Sequence, residues 1–219
     1  MKPKLVPLGD SALLMQFGDQ IDLEINQRIH ALDALLRADA IAGIIETVPA
    51  YATLLIHYDP LALTYAQISD WINAEMDRVG SSASRKPRQI EVPVRYGGVS
   101  GPDLEWVAAQ HHLSIADAIR LHTNRTYIVY MMGFTPGFPY LGKLHESLVA
   151  PRLDSPRTLV PAGSVAIVGE QTGIYPIDSP GGWRLIGWTR LRLFDPLSDT
   201  PFLFAPGDEV RFTIEAVDA

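Results

Sequence analysis

Apolar positions in the first eighty residues switch between strand and helix periods. Residues 5–8 and 12–17 read as short strands parted by Gly9-Asp10, and Pro7 demotes the first to an edge. Asp22 then caps a helix whose Ile25, Ile29, Leu32 and Leu36 fall on one face. Residues 44–48 and 53–58 predict two more strands. Thr64 caps a second helix that turns Ile68, Trp71, Ile72 and Met76 inward. Strand-strand-helix thus occurs twice, a weak internal repeat in which Leu13-Leu14 answers Leu54-Leu55. The expected unit is a small α+β domain over residues 1–80, an antiparallel sheet with two helices on one face, ferredoxin-like in type.

Residues 81–88 break the pattern. They are small, then basic, and are expected to form a linker. A strand over 89–95 follows and ends at Tyr96-Gly97-Gly98. Pro102 opens a helix with Leu104, Val107 and Ala108 on its apolar side. Ser114 to Asp117 fits a capping box for the next helix, which ends near His122. Residues 126–132 are β-branched and aromatic, a buried strand. The chain then enters Gly133-Phe134-Thr135-Pro136-Gly137-Phe138-Pro139-Tyr140-Leu141-Gly142. Its two Pro and three Gly exclude a regular helix or a central strand and leave a stiff loop presenting Phe134, Phe138 and Tyr140. An aromatic loop either plugs a core or lines a binding surface. Beyond it, 164–168 reads as a strand, Gly169 to Gly173 as a turn, 174–177 as a return, and Pro180-Gly181-Gly182 as another turn. From Trp183 to Phe194 apolar and polar positions alternate. Pro206-Gly207-Asp208 turns into a last strand over 209–214. Residues 89–219 are therefore expected to form a mainly-β, barrel-like domain.

Composition narrows the chemistry. The 219 residues are 47% hydrophobic, enough for packed cores. No cysteine is present, so disulfides, thiol catalysis and Cys-ligated metals are excluded. The net charge of −7 disfavours nucleic acid as a partner. The acidity is uneven: residues 1–84 carry five Lys/Arg against eleven Asp/Glu, and the remainder 13 against 14, which again divides the chain in two. No apolar run reaches the length of a membrane span or a signal peptide, and the expectation is a soluble cytoplasmic protein.

Gly137 to Lys143 has the spacing of a phosphate loop, but Leu144 stands where a Ser or Thr would reach magnesium. Pro139 has no N–H to offer a phosphate, and Phe138 and Tyr140 crowd the cradle. The histidines form no metal spacing. His145-Glu146 begins one without its second His, and no metal site is expected. His122 reads either as a satisfied structural histidine or as a base. Ser164 lacks a nucleophile-elbow pattern and reads as a turn residue or hydrogen-bond donor. Arg157, in a polar loop, is either a surface arginine or a partner for a substrate carboxylate. Gln171, Thr172 and Tyr175 crowd one hairpin and, with Trp183, are candidates for polar contacts in an apolar pocket.

The segment from Gly133 to Gly142, Val160-Pro161-Ala162-Gly163-Ser164-Val165-Ala166-Ile167, Gln171-Thr172-Gly173-Ile174-Tyr175-Pro176 and Ser179-Pro180-Gly181-Gly182-Trp183 together resemble a known family. It is the carboxyltransferase-domain family of 5-oxoprolinase B subunits, also called the allophanate hydrolase subunit 1 or KipI family. Weaker likeness extends back through Gly101-Pro102-Asp103-Leu104 and Leu121-His122. The resemblance implies a cyclophilin-like barrel and a homologous partner, the C subunit of 5-oxoprolinase. Together with the A subunit, it implies ATP-driven opening of 5-oxo-L-proline to L-glutamate. A family member that inhibits a sensor histidine kinase and fused biotin-linked urea carboxylases supply the alternative functions; the latter fit less well because no biotin-carrier lysine motif is seen here. A five-membered lactam is an unstrained amide, so activation calls for positioned cations and donors more than a protein nucleophile. On this reading Arg157, Gln171, Thr172 and His122 are the catalytic candidates. Phe134, Pro136, Gly137, Phe138, Tyr140, Ser164, Tyr175, Gly181, Gly182 and Trp183 are the substrate-binding ones. ATP is expected at the level of the complex.

Overall fold

The computed structural model describes residues 3–78 and 87–218. Most of the expected linker, residues 81–86, lies outside them. The chain divides into two compact units, Met1–Lys86 and Pro87–Ala219.

The first unit runs β1 (Lys4–Pro7), β2 (Ala12–Gln16), α1 (Leu23–Ala38), β3 (Ile44–Pro49), β4 (Thr53–Tyr58) and α2 (Tyr65–Arg78). Its strands form one antiparallel sheet in the order β1-β2-β4-β3, with the Pro7 strand at an edge. Leu13, Met15, Leu54 and Ile56 from the sheet share a core with Ile29, Leu36, Ile68 and Ile72 from the helices. Both helices start as their sequences dictate. The Asp22 carboxylate accepts the Ile25 N–H at 2.9 Å, and Thr64 and Gln67 cap each other reciprocally. The chain order is strand-strand-helix twice, whereas a ferredoxin-like unit runs strand-helix-strand-strand-helix-strand. Here the edge strand comes from the start of the chain.

The second unit contains β5 (Gln89–Tyr96), α3 (Leu104–Gln110), α4 (Ile115–Thr123), β6 (Thr126–Met132), β7 (Pro139–Gly142), β8 (Arg157–Val160), β9 (Ser164–Val168), β10 (Gln171–Ile174), β11 (Ser179–Gly181), β12 (Arg184–Trp188) and β13 (Glu209–Val217). Seven strands close a barrel in the order β10-β7-β6-β13-β5-β12-β9. Among the barrel's pairs only β5–β13 is parallel. Each strand sends an apolar side chain into one shared interior: Val94, Val129, Leu141, Ile167, Ile174, Ile186 and Phe212. Leu104 and Val107 of α3 and Ala118 and Ile119 of α4 pack into the same cluster. Strands β8 and β11 form a separate two-stranded ribbon.

Four local expectations change. Residues 139–142 are a barrel strand, paired with β6 on one side and β10 on the other. Pro139 is tolerated because it is the first residue of that strand. Gly142 is required because a Cβ there would meet the Tyr130 ring at 2.8 Å. The hairpin after β9 is tighter than expected, since Gln171 already pairs with Val168 across Gly169-Glu170. Gly181 lies in a strand, and Arg157, expected in a loop, lies in its partner. Of the alternating run from Trp183 only Arg184–Trp188 is a strand, and a register shift between Leu185 and Gly187 interrupts its pairing with β9.

Candidate functional site

The Gly133–Gly142 motif reads directly into structure. The Phe138 N–H donates to the Thr135 carbonyl at 3.1 Å. Pro136 and Gly137, with φ of +87° at the glycine, supply the two central positions of a type II turn. Gly137 is also fixed by crowding, because a Cβ there would lie 2.8 Å from the Phe194 Cβ. The turn drives Phe138 beneath the barrel wall and leaves Phe134 above it, 59% exposed, with a φ of +64°. A non-glycine residue in that region carries backbone strain that surrounding structure has to hold.

Phe138 is the hub of an aromatic cluster on the outer face of β7, β9, β10 and β12. Its ring centroid lies 4.9 Å from Tyr140, 5.2 Å from Tyr175, 5.3 Å from Trp183 and 5.6 Å from Phe134, all edge to face. Val160, Ala166 and Leu185 complete the packing. Strand alternation explains the separation from the barrel interior: Ala166 and Leu185 face out where Ile167 and Ile186 face in. Gly173 is obligatory here, since a Cβ would strike the Phe138 ring at 2.8 Å.

The ribbon β8–β11 lies against this face. Arg157 of β8 donates to Asp103 Oδ1 at 3.0 Å, while its buried Nη1 has no hydrogen-bond partner. Asp103, itself buried, accepts the Leu185 N–H at 2.7 Å through its other oxygen. Arg184 reaches the same carboxylate at 4.0 Å, with its guanidinium 3.6 Å from the Trp106 ring centroid. The Tyr175 hydroxyl rests against Gly181, where a Cβ would lie 2.2 Å from the oxygen. Burial raises the Tyr175 pKa, opposed by a hydrogen bond from the Trp183 backbone and by the charge of Arg152. Burial raises that of Tyr140 too, again opposed by Arg152. Both phenols therefore stay protonated at neutral pH. Gly182 holds the 151–156 segment against the ribbon, its carbonyl accepting the Leu153 N–H at 2.8 Å.

The structure thus brings Phe134, Pro136, Gly137, Phe138, Tyr140, Arg157, Tyr175, Gly181, Gly182 and Trp183 to one side of the barrel. Gln171 faces outward on β10, opposite Gly142. Ser164 is buried at the start of β9, with its carbonyl accepting the Tyr175 N–H at 2.9 Å. His122 and Thr172 are placed elsewhere, inside the barrel. His122 Nδ1 lies 2.8 Å from the Tyr96 hydroxyl and Nε2 lies 3.1 Å from Thr172 Oγ1. Because the Thr172 hydroxyl donates to the Ala166 carbonyl, it accepts from the histidine, so Nε2 carries the proton and Nδ1 accepts from Tyr96. Burial lowers the His122 pKa to about 3, which makes it a neutral connector rather than a proton carrier near pH 7. Sequence reasoning missed Asp103. Asp103 sat in a quoted motif but was seen only as part of a helix start.

An open cleft of about 510 Å³ lies alongside, bordered by Gly163, Pro176, Trp188, Leu191 and Phe194. It adjoins the type II turn through Pro176 and Phe194. The segment with phosphate-loop spacing is spent as strand β7, its backbone committed to two neighbours, and Lys143 lies 3.7 Å from Glu170. These residues do not form a phosphate cradle. Among the described residues no three His, Asp or Glu side chains converge as metal ligands. None of the described helices is long and apolar enough to cross a membrane.

A closed seven-strand barrel and a separate small α+β unit fit the fold of a carboxyltransferase-type protein. Residues 3–204 match the family described as carboxyltransferase domain, subdomain C and D, and the chain belongs to that family. Within it, the chain is 43% identical to the 5-oxoprolinase B subunit of Bacillus subtilis strain 168 over 216 residues, covering 94% of this chain and 90% of that one. It is 42% identical to the 5-oxoprolinase B subunit of Escherichia coli O157:H7 over 210 residues, covering 94% and 93%. The crystal structure of TTHA0988 superposes with a TM-score of 0.82 at 40% identity, over 93% of this chain and 39% of that longer one.

Proposed function

We propose that this chain is the B subunit of an ATP-dependent 5-oxoprolinase, acting with the A and C subunits to open 5-oxo-L-proline to L-glutamate. The observation that carries the reading is end-to-end identity above 40% with proteins of that name. The site is compatible in kind. A compact lactam needs an apolar wall, neutral donors and cationic partners, and the outer barrel face offers Phe138 and Trp183, the protonated Tyr140 and Tyr175, and Arg157. We take the barrel to be cyclophilin-like, with Phe134 closing over the wall when substrate and the other two subunits are in place. The aromatic side chains exclude water and orient the ring, and the tyrosine hydroxyls donate to its polar atoms. ATP serves the complex; the Gly137–Lys143 segment of this chain presents no cradle for its phosphates.

The test is reconstitution. Purified A, B and C subunits are mixed with 5-oxo-L-proline and ATP, and glutamate and ADP are measured with each one omitted in turn. Turnover that needs this chain is the expected result. A mixture that forms no glutamate, with all three proteins folded, would overturn the proposal.

A further inference from the structure

We infer that Arg152 and Arg157, together with the hydroxyls of Tyr140, Tyr175 and Ser179, form a seat for a monocarboxylate between the β8–β11 ribbon and the outer face of the barrel. The inference rests on the 5-oxoprolinase reading for the identity of the ligand, and on the geometry alone for its chemical class.

Unsatisfied donors mark the place. Arg157 Nη1 and Ser179 Oγ are both buried without a hydrogen-bond partner, a state that native proteins tolerate mainly where a ligand or water supplies the acceptor. Ser179 stands in register with Val160, which packs in the aromatic cluster, so the hydroxyl is directed to the same side. Arg157 stands in register with Gly181, the glycine that the Tyr175 hydroxyl touches. A register shift between Ser179 and Gly181 adds one residue on β8, and this lets Arg157, three residues before Val160, stand opposite Gly181 along the edge of the same wall.

Arg152 supplies the remaining charge. It is exposed and makes no hydrogen bond or ion pair among the described residues. Its position is nonetheless held: Arg184 Nε donates to the carbonyl of Pro151 at 3.3 Å, and the Leu153 N–H donates to Gly182. Its charge reaches the hydroxyls of both Tyr140 and Tyr175. Asp103 compensates Arg157 on one edge of its guanidinium and leaves the other edge free. Asp103 is shared between Arg157 and Arg184, so with Arg152 the neighbourhood holds three guanidinium groups to one carboxylate, an excess of positive charge that calls for an anion. Planar guanidinium edges and neutral hydroxyl donors suit a carboxylate, and the adjoining aromatic wall suits a small ring attached to it. In 5-oxo-L-proline the carboxylate is the only charge, so this seat would fix which face of the lactam meets the rest of the site.

The experiment compares three probes on the full chain by ligand-observed NMR and calorimetry. They are 5-oxo-L-proline, 2-pyrrolidinone (the lactam without a carboxylate) and cyclopentanecarboxylate (the ring and carboxylate without a lactam). Arg152→Gln and Ser179→Ala are tested beside the wild type, with thermal melts to verify folding. The expected result is that Arg152→Gln weakens both carboxylates about tenfold or more and leaves 2-pyrrolidinone unchanged, with Ser179→Ala showing a smaller loss in the same pattern. Carboxylate binding that is equal in wild type and Arg152→Gln, or absent in the wild type, overturns the seat. In the reconstituted three-component mixture the same variant should raise KM for 5-oxo-L-proline. Turnover with an unchanged KM would remove the seat and keep the function. Arg152-dependent binding of cyclopentanecarboxylate without any turnover of 5-oxo-L-proline would keep the seat and remove the function.

Discussion

The Tyr175 hydroxyl fills the volume that a side chain at Gly181 would need, with a Cβ there only 2.2 Å from the oxygen and 2.7 Å from the ring carbon that bears it. Strand β11 can lie on the barrel face only because position 181 has no side chain. Gly181→Ala is expected to push the ribbon outward, destabilise the chain by about 1–3 kcal/mol and abolish activity in the reconstituted mixture. Urea melts and the glutamate assay measure the two effects separately.

Asp103 gathers Arg157, Arg184 and the Leu185 N–H on one buried carboxylate. Asp103→Ala leaves all three without it and is expected to cost about 3 kcal/mol. Asp103→Asn keeps the shape and an acceptor and should cost less, while freeing Arg157 to move. Chemical denaturation of both variants checks the order.

Phe134 joins exposure to a left-handed backbone. Phe134→Gly removes the strain and is expected to leave the melting temperature unchanged or higher. The same change strips the lid from the aromatic wall, so turnover by the reconstituted mixture should fall. A drop in stability together with intact turnover would contradict the lid role.

His122 fixes a pH dependence of stability. Its folded pKa is lowered from 6.5 to about 3 by burial. As pH falls through about 6.5 the unfolded chain takes up this proton and the folded chain does not, so the unfolded state is favoured progressively down to about 3. The expected loss is about 1.4 kcal/mol per pH unit in that window, with no contribution from this group above it. His122→Gln should flatten the slope between pH 6.5 and pH 4 in urea melts. Nitrogen NMR of the wild type at pH 5 should show a neutral ring protonated at Nε2.

Much of the fold could be read from local rules. The caps at Asp22, Thr64 and Ser114 start helices where their side chains meet the first free N–H groups. The edge role of Pro7 followed from its missing donor. The aromatic wall was legible because Phe138, Tyr140, Tyr175 and Trp183 stood in turn-rich segments that had no reason to be apolar. The departures come from pairings that are distant in sequence. Residues 139–142 become a strand because β6 and β10 hold them on both sides, and nothing within the motif announces those partners. His122 and Thr172 point toward chemistry as residue types, but His122 lies on the buried face of α4 with Ala118 and Ile119, and alternation along β10 turns Thr172 inward. Arg152 was invisible for the opposite reason: its place depends on a backbone contact to Gly182, and its own neighbours in sequence carry no pattern.

The parallel ladder between β5 and β13 has a consequence for biosynthesis. It joins positions 120 apart in the chain, such as Gln89 and Glu209. β13 also completes the pairing of β6. During translation the barrel is expected to stay an open sheet until β13 leaves the ribosome. Closure is therefore a late, all-at-once event, and a nascent chain stalled before residue 209 should be prey for chaperones and proteases.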